Sequence, residues 1–184
     1  VVYQRATGRD ANGDPLAINT SMYIGSVSKQ FCAAAIMILR DQGKLSVDDT
    51  IDKYFPEYSK GKDITIKHLL TMRSGIRDTV GEGFAGTLPY TNTEEKNTAL
   101  IKEWIFGESL LFEPDTAFRY SNSNYILLAD IVEQASGQYY NDFLREHIFE
   151  PLDMKHTGLI TEIPDSPAWA ENLIADDDVE EVKI

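Results

Sequence analysis

A serine and a lysine that could act together stand in the stretch IGSVSKQF, residues 24–31, where Ser26 precedes Lys29 by three positions. A serine hydroxyl is a poor nucleophile unless a nearby base takes its proton, and a lysine amine can be that base. If the stretch opens a helix, the two side chains lie on one side of it. The unpaired amides and positive dipole at the helix start would then favour an oxyanion beside Ser26. The alternative is an ordinary helix start with a solvated lysine.

The same Ser-x-x-Lys spacing occurs again at Ser59 and Lys62, so the spacing alone is not specific. The second copy belongs to the polar stretch SKGK, which favours a solvated loop. The first copy is followed by apolar residues at helical spacing, which predicts a helix with one buried face that ends near Gly43. The predicted buried positions are Phe31, Ala34, Ala35, Ile38 and Leu39.

A second candidate motif, Tyr-x-Asn, occurs three times. The copy at residues 90–92 lies in a predicted loop before a helix cap, and the copy at residues 139–141 lies in a helix that needs its aromatic residues for packing. The copy with Tyr120 and Asn122 lies where an irregular stretch enters a helix, so its side chains could face a cleft. From position alone, a functional and a structural role are equally compatible with this copy.

The two motifs complement each other chemically. Lysine and tyrosine are both normally protonated at neutral pH, so one of them must lose its proton more easily through burial or through the other's charge. Placed together, Lys29 and Tyr120 can share a proton as a coupled pair. The amide of Asn122 can both donate to a substrate carbonyl and accept from a substrate amide.

The amino-acid composition limits the classes of protein to which the chain can belong. Of the 184 residues, 42% are hydrophobic and 26% are charged, which is typical of one soluble globular domain. A net charge of -13 predicts repulsion from nucleic acid and from anionic membranes. The longest apolar run, residues 32–39, is too short to span a bilayer, and no signal peptide is visible. The single cysteine, Cys32, excludes an internal disulfide and multi-cysteine zinc sites, and its apolar neighbours predict an inert, packed thiol.

The chain divides into one strand-like region and a series of helices. Residues 1–24 contain the segments VVYQRAT and SMYIG on either side of a turn-prone stretch, which predicts a β-hairpin or a piece of a sheet. Residues 77–90 are rich in glycine and predict a loop, which either borders a cleft or is an uninvolved part of the surface. Capping residues and helix-ending residues predict one short helix that begins at Ser46. They also predict four further helices, from Thr65 to near Gly75, from Asn92 to Gly107, from Asn122 to Ser136, and from Tyr139 to Ile148.

The stretches around these motifs resemble segments of the serine β-lactamase and penicillin-binding protein superfamily, in its branch with AmpC-type β-lactamases, D-alanyl-D-alanine carboxypeptidases and related esterases. IGSVSKQF resembles the nucleophile segment of that family, and ITIKHLLTMRSGI resembles its "iTi-x-hLLthtSGl" segment. FEPDTAFRYSNSNYILLADIVEQASG resembles its segment around "YSN", and PLDMKHTG resembles its "PLGM-x-xT" ending. The matches follow the family's order from about Tyr3 to Gly158.

The resemblance implies a role for each motif residue. Ser26 would be the acylated nucleophile, its backbone N–H one oxyanion donor, and Lys29 the acceptor of its proton. Tyr120 would be the partner base and proton relay, and Asn122 would orient the substrate amide. Neither a metal ion nor an organic cofactor is implied.

Five positions depart from the family pattern, and we expect them to affect loop shape and packing more than chemistry. Three of them replace glycines, and two stand where His and Thr are usual. The replaced glycines are at Asp115, Ala129 and Asp153, and the other departures are Met72 and Arg73.

The resemblance also implies the fold. We expect a mostly α chain in which residues 26–165 form the helical lobe of the α/β β-lactamase/transpeptidase-like fold. Residues 1–25 would be a β-hairpin or partial sheet of the α/β lobe, and residues 166–184 an acidic, poorly ordered tail.

The third motif of the family, Lys-Thr-Gly or His-x-Gly on a strand beside the nucleophile, supplies the second oxyanion donor. Residues 156–158, His-Thr-Gly, fit by their letters, but they follow a helix end and no strand-like run surrounds them. We therefore interpret them as a chance match and the chain as a fragment. The isolated chain would then be a poor catalyst, because a missing oxyanion donor costs on the order of 10²–10³ in rate.

The predicted function is that of a serine hydrolase or acyl-transferase that forms a Ser26 acyl-enzyme with β-lactams, D-amino-acid peptides or esters. One alternative is a penicillin-binding sensor that is acylated but hardly turns over, and another is a helical-lobe module without an active cleft. The resemblance implies a small-molecule or peptidoglycan-like peptide as partner, and a location in the bacterial cell envelope or outside the cell. The sequence leaves the oligomeric state open.

Overall fold

The computed structural model of the chain describes residues 3–10, 13–22, 24–80 and 94–159. The chain forms two compact units. The larger unit consists of residues 28–155, and the smaller unit combines residues 1–27 with residues 156–184. The larger unit contains all the α-helices in the described part of the chain.

Helices dominate the described residues. The α-helices are α1 (Lys29–Asp41), α2 (Ile66–Leu70), α3 (Glu94–Gly107), α4 (Asn122–Ser136) and α5 (Tyr140–Leu144). Short 3-10 turns are formed by Gly25–Ser28, Ile51–Lys53 and Gly61–Asp63, and a π-helical turn, Arg145–Phe149, continues α5. Isolated antiparallel bridges join Arg9 to Pro15 and Thr50 to Thr65, and the described residues form no strand. The prediction of a mostly α chain is confirmed for this part.

Helix α4 is the centre of the larger unit, because it packs against α1, α2 and α5. Four apolar residues in its second and third turns are buried. The buried apolar residues of α4 are Leu127, Leu128, Ile131 and Val132. The pairing of α1 with α4 fixes where the first residues of both helices lie.

Helix α1 buries a stripe of residues at the spacing i, i+3, i+4 and i+7. Its fully buried residues are Cys32, Ala35, Ile36 and Leu39. The buried face is therefore shifted by about one residue from the predicted one, since Phe31, Ala34 and Ile38 are only partly buried.

The thiol of Cys32 is packed inside this core. The residue is 3% exposed, and burial raises the pKa of its thiol to about 12. A thiol with this pKa stays protonated at neutral pH and is a poor nucleophile. The prediction of a packed, inert cysteine is confirmed.

The predicted strands near the start of the chain are wrong for the described residues. One antiparallel bridge joins Arg9 to Pro15, and the turn between them is closed by the amide of Asp10, which donates to the carbonyl of Asp14 at 2.8 Å. No ladder extends from this bridge in the described part. A two-stranded ribbon is only marginally stable in water unless further strands pair with it, and the described residues form no such strand.

The predicted helix at Ser46 is also wrong. Its hydroxyl accepts from the amide of Asp48 at 3.2 Å, and its own amide donates to a carboxylate oxygen of Asp49 at 3.0 Å. These contacts close a local turn, and local side-chain bonds of this kind compete with helix formation. The first helical residues after this turn are Ile51–Lys53.

Three of the remaining helix limits agree with the capping and stop residues predicted from the sequence. Thr65 and His68 form a reciprocal capping box at the start of α2. Gly137 ends α4 with φ 75°, the left-handed conformation in which glycine is favoured. Helix α3 ends at Gly107 as predicted, whereas its predicted cap, Asn92, lies outside the described residues. Helix α2 ends earlier than predicted, at Leu70.

Two irregular segments run alongside each other near the start of α4, and we call them loop 71–80 and loop 108–121. Three backbone hydrogen bonds join them over distances of 2.8 to 3.0 Å. The donors are the amides of Leu111, Asp115 and Arg119, and the acceptors are the carbonyls of Gly75, Arg73 and Met72. These bonds give both loops a defined path without helix or strand.

The backbone conformation explains why aspartate can replace glycine at two of the positions that depart from the family pattern. Asp115 has φ 67° and Asp153 has φ 55°, so both residues occupy the left-handed region in which glycine is favoured. Aspartate is one of the few other residues that enter this region readily. Met72 also has a positive φ, 59°. Ala129 lies within α4, and nothing in the structure explains its exchange for glycine.

Two of the departures contact each other across the paired loops. The Nε of Arg73 donates to Oδ1 of Asp115 at 2.6 Å. This hydrogen bond and the guanidinium charge lower the pKa of Asp115. The pair therefore adds a side-chain link to the backbone bonds between loop 71–80 and loop 108–121.

Glycine is required at position 75 by both its backbone angle and its surroundings. Gly75 has φ 78°, and a Cβ at this position would lie 2.1 Å from the carbonyl oxygen of Phe112. Gly43 has a similar angle, φ 71°, with no atom within 4 Å of a Cβ. The two glycines therefore differ in steric contact and not in backbone conformation.

We expect Gly43→Ala to lower the free energy of unfolding by about 1–2 kcal/mol, the cost of a left-handed non-glycine residue. Gly75→Ala should cost at least about 3 kcal/mol, because the carbonyl of Phe112 must also move. Urea denaturation of both variants and of the unchanged chain measures the difference. Equal losses in the two variants would contradict the close approach at Gly75.

Candidate active site

Lys29 lies at the first position of α1, and its side chain reaches the start of α4. Its Nζ donates a hydrogen bond to Oδ1 of Asn122 at 2.7 Å. The positive end of a helix dipole lies at the N-terminus, so a cation at this position is unfavourable by itself. A polar acceptor from a neighbouring helix offsets that cost and fixes the direction of the amine.

Two tyrosine rings also face the amine. The Nζ of Lys29 lies 5.0 Å from the ring centre of Tyr120 and 5.8 Å from that of Tyr125, within the range of cation–π attraction. The hydroxyl of Tyr120 donates to Oδ1 of Asn122 at 3.3 Å, so one amide oxygen is shared by the lysine and the tyrosine. Tyr120 is 45% exposed, which leaves its ring accessible to a ligand.

Tyr125 supports this arrangement from the interior side. Its hydroxyl donates to the carbonyl of Leu70 at 3.2 Å, which joins α4 to the end of α2. Partial burial raises the pKa of Tyr125, so its hydroxyl stays protonated and remains a hydrogen-bond donor. This tyrosine therefore fixes the position of a ring beside Lys29.

The amide of Asn122 is held from its other side by Asp78. The Nδ2 of Asn122 donates to Oδ1 and Oδ2 of Asp78 at 3.1 and 3.3 Å. The backbone amide of Asn122 donates to Oδ1 of Asp78 at 2.9 Å. Ser121 precedes α4 without a capping hydrogen bond from its side chain, so Asp78 supplies a cap from loop 71–80.

Buried polar contacts clamp loop 71–80 onto the first turn of α4. The hydroxyls of Ser121 and Ser123 donate to the carbonyl of Arg77 at 3.1 and 2.6 Å. The amide of Thr79 donates to the hydroxyl of Ser123 at 3.1 Å. The residues on both sides of Asp78 are thus fixed to α4, and the carboxylate between them has a defined position.

A second contact fixes the same loop further upstream. The hydroxyl of Ser74 donates to Oδ1 of Asn124 at 2.5 Å, and Nδ2 of Asn124 donates to the carbonyl of Ser121 at 3.2 Å. Ser74 and Asn124 are each 1% exposed. Buried polar groups with satisfied hydrogen bonds favour one arrangement of the chain over others.

The structure brings together three of the four residues that the sequence singled out: Lys29, Tyr120 and Asn122. Ser26 belongs to the smaller unit and is exposed in the 3-10 turn Gly25–Ser28. This turn leads directly into α1, which begins at Lys29. The prediction that Ser26 opens the α-helix is therefore corrected by one turn.

The duplicate motifs lie elsewhere. Ser59 and Lys62 are both exposed in turns, in agreement with a solvated role. Tyr139 is 78% exposed, so the prediction that this aromatic residue is needed for packing is wrong, whereas the next residue, Tyr140, packs against the core. Residues 90–92 lie outside the described part of the chain.

Sequence reasoning did not find two contributors to this cluster. Tyr125 stands three residues after Asn122 on one helix face, a spacing that could have indicated it. Asp78 belongs to the predicted loop 77–90, and no sequence pattern marks it as a helix cap. The described part of that loop, residues 77–80, contacts the start of α4.

In the described ranges, no group of three or more His, Cys, Asp or Glu side chains could hold a metal ion. No helix described here is long and apolar enough to cross a membrane. Residues 156–158, the His-Thr-Gly stretch, do not form a strand.

Known proteins match most of this chain. The model of the family described as Beta-lactamase matches residues 1–181. Penicillin-binding protein 4* of Bacillus subtilis (strain 168) is 36% identical over 148 residues, which cover 78% of this chain and 31% of that protein. The chain therefore spans less than half of that relative's length.

Two solved structures are similar in fold and sequence. The crystal structure of D-amino acid amidase from Ochrobactrum anthropi SV3 complexed with L-phenylalanine amide has a TM-score of 0.67 and 29% identity, covering 78% of this chain and 40% of the amidase. The crystal structure of penicillin binding protein from Bacillus halodurans has a TM-score of 0.72 and 28% identity, covering 86% of this chain and 49% of that protein.

The clamp at Ser123 can be tested by its effect on stability. We expect Ser123→Ala to lower the free energy of unfolding by about 1–3 kcal/mol, because the buried amide of Thr79 loses its acceptor. Ser46→Ala is the matched control, since that hydroxyl accepts an amide at the exposed surface, and it should cost about 0.5 kcal/mol or less. Urea denaturation gives both values. Losses of the same size would show that the buried hydrogen bond from Thr79 to Ser123 stabilises the fold no more than an exposed one.

Proposed function

This chain belongs to the β-lactamase family, and from that premise we propose an acyl-transfer function in which Ser26 is acylated by a β-lactam or by a D-amino-acid amide, peptide or ester. The observation that carries the proposal is the contact of Lys29 and Tyr120 with one oxygen of Asn122. A lysine amine and a tyrosine hydroxyl that share one acceptor lie close together, and neighbouring titratable groups lose their protons as a coupled pair.

The proposed reaction has two halves. Oγ of Ser26 attacks the substrate carbonyl carbon, and its proton passes to the Lys29–Tyr120 pair. The bond from the carbonyl carbon to the leaving nitrogen or oxygen then breaks, and the leaving group takes that proton. Water attacks the resulting ester, the bond from carbon to Oγ breaks, and the proton from water restores the serine hydroxyl.

The pairing of Ser26 with Lys29 is supported by their spacing. Lys29 follows Ser26 by three positions along a helical backbone, which places their side chains on the same side. The helical turn at Ser26 continues into α1, as the helical backbone angles of Ser28 indicate, φ -57° and ψ -26°. A peptide N–H at the start of such a segment is a donor for the developing oxyanion.

The proposal includes a division of the chain. We assign residues 26–165 to the helical lobe, residues 1–25 to the α/β lobe, and residues 166–184 to an acidic tail. The second oxyanion donor would lie in a part of the protein outside residues 1–184, in keeping with the 31% of penicillin-binding protein 4* that this chain covers. Residues 156–158 are then a chance match.

The names of the similar proteins support amide substrates. One is called a penicillin-binding protein and another a D-amino acid amidase. We propose a β-lactam or a peptidoglycan-like D-amino-acid peptide as the acyl donor and a bacterial cell envelope or extracellular location. The names also favour a second candidate, a penicillin-binding protein whose acyl-enzyme is hydrolysed so slowly that it acts as a sensor.

Intact-protein mass spectrometry of the full-length protein with a labelled penicillin tests acylation. We expect one adduct with the unchanged protein, none with Ser26→Ala, and at least about 100-fold slower formation with Lys29→Ala, because the serine loses its base. The decay rate of the adduct separates a hydrolase from a slow-turnover sensor.

The second Ser-x-x-Lys copy provides the control. Ser59→Ala and Lys62→Ala should be acylated as fast as the unchanged protein, because both side chains lie exposed in another part of the chain. An adduct that persists in Ser26→Ala, or that disappears in Ser59→Ala, would place the nucleophile elsewhere. Absence of any adduct with penicillins and with fluorophosphonate probes would remove the acyl-transfer proposal.

A further inference from the structure

The amide of Asn122 has two chemically different ends, and its orientation decides what Lys29 meets. With Oδ1 toward the lysine, the amine finds an acceptor at 2.7 Å. With the amide turned over, the amine and the hydroxyl of Tyr120, which now donate to Oδ1, would face an NH₂ group that cannot accept their hydrogen bonds. The arrangement of the proton-transfer pair therefore depends on which way this amide points.

Asp78 is the group that distinguishes the two orientations. An ionised carboxylate offers only acceptors, and both oxygens of Asp78 lie within 3.3 Å of Nδ2 of Asn122. Turning the amide over would bring Oδ1 of Asn122 against the carboxylate. That orientation would place two pairs of like groups in contact, one at Asp78 and one at Lys29.

The carboxylate itself has little freedom to move. Its Oδ1 also accepts from the backbone amides of Asn122 at 2.9 Å and of Val80 at 3.3 Å. The neighbouring residues, Arg77 and Thr79, are bound by Ser123. A fixed acceptor of this kind imposes its orientation on a side chain that could otherwise rotate.

We propose that Asp78 is a positioning residue for acyl transfer, which holds the Asn122 amide with its oxygen toward Lys29 and Tyr120. This inference rests on the proposed function, because it concerns the same Lys29–Tyr120 pair. It adds a residue that neither motif contains and that acts through Asn122 without touching substrate.

A helix cap and a positioning residue respond differently to Asp78→Asn. Asparagine caps helices as well as aspartate, so a capping role alone predicts unchanged stability and unchanged acylation. In the positioning role, the new amide presents one oxygen, and its NH₂ group replaces the carboxylate oxygen that lies 3.3 Å from Nδ2 of Asn122. Two donors then face each other, and the preference of Asn122 for one orientation is weakened.

The acylation rate constant of the full-length protein with labelled penicillin is measured for Asp78→Asn, Asp78→Ala and the matched control Asp49→Ala, well below their melting temperatures. Asp49 accepts the amide of Ser46 and the amine of Lys53 in a surface turn. We expect about 10-fold slower acylation for Asp78→Asn and about 100-fold for Asp78→Ala. Asp49→Ala should react at the unchanged rate, and Asp78→Asn should keep the unchanged melting temperature.

A second readout does not depend on acylation. The side-chain NH₂ resonances of Asn122, identified by their loss in Asn122→Ala, are recorded by ¹H–¹⁵N NMR. We expect them to shift in both Asp78 variants and to stay in place in Asp49→Ala. If the unchanged protein forms no adduct, the proposed function fails, and the NMR result alone decides on the orientation of the amide.

Wild-type acylation rates in Asp78→Asn together with unchanged Asn122 resonances would overturn the positioning role and leave a helix cap. Shifted resonances with slower acylation support it. Loss of acylation in Asp49→Ala to the same extent would also overturn it, because the effect would then follow from general loosening of the fold.

Discussion

The hydrogen bond from Lys29 to Asn122 joins residues 93 positions apart and connects the first residues of two helices. A lysine at the start of α1 opposes the helix dipole, so it needs compensation from outside its own helix. That compensation comes from the Asn122 oxygen and from the rings of Tyr120 and Tyr125. The contact forms because the buried apolar sides of α1 and α4 pack against each other and set the relative position of the helix starts. The core thus determines the chemistry that the polar cluster can perform.

The loops around α4 serve the same contact. Loop 71–80 lies against loop 108–121, and this pairing depends on backbone conformations that few residues adopt. Gly75 allows the close approach of a carbonyl, and Asp115 takes a left-handed conformation while its carboxylate binds Arg73. Strain of this kind persists where the surrounding contacts over-determine it. Its consequence here is a fixed position for Asp78 beside Asn122.

Periodicity and caps predicted most of the helices, because both are local properties of the chain. The cap at Thr65 and the stop at Gly137 were read correctly, whereas Ser46 formed a turn because its neighbours Asp48 and Asp49 supply local partners. The two predicted strands did not form in the described residues, since strand pairing depends on partners elsewhere.

The candidate site was predictable to the extent that its residues lie in short motifs. Lys29, Tyr120 and Asn122 were selected by the order of several segments along the chain, and the structure places their side chains in contact. Asp78 reaches Asn122 across 44 positions, a contact that follows from the path of a loop and leaves no periodic pattern.

The most direct measurement is a crystal structure of the full-length protein after reaction with a penicillin. We expect an ester at Ser26 Oγ, with Nζ of Lys29 within about 3.2 Å of that oxygen and still bound to Oδ1 of Asn122. An ester on another residue, or a lysine amine turned away from Asn122, would contradict the account.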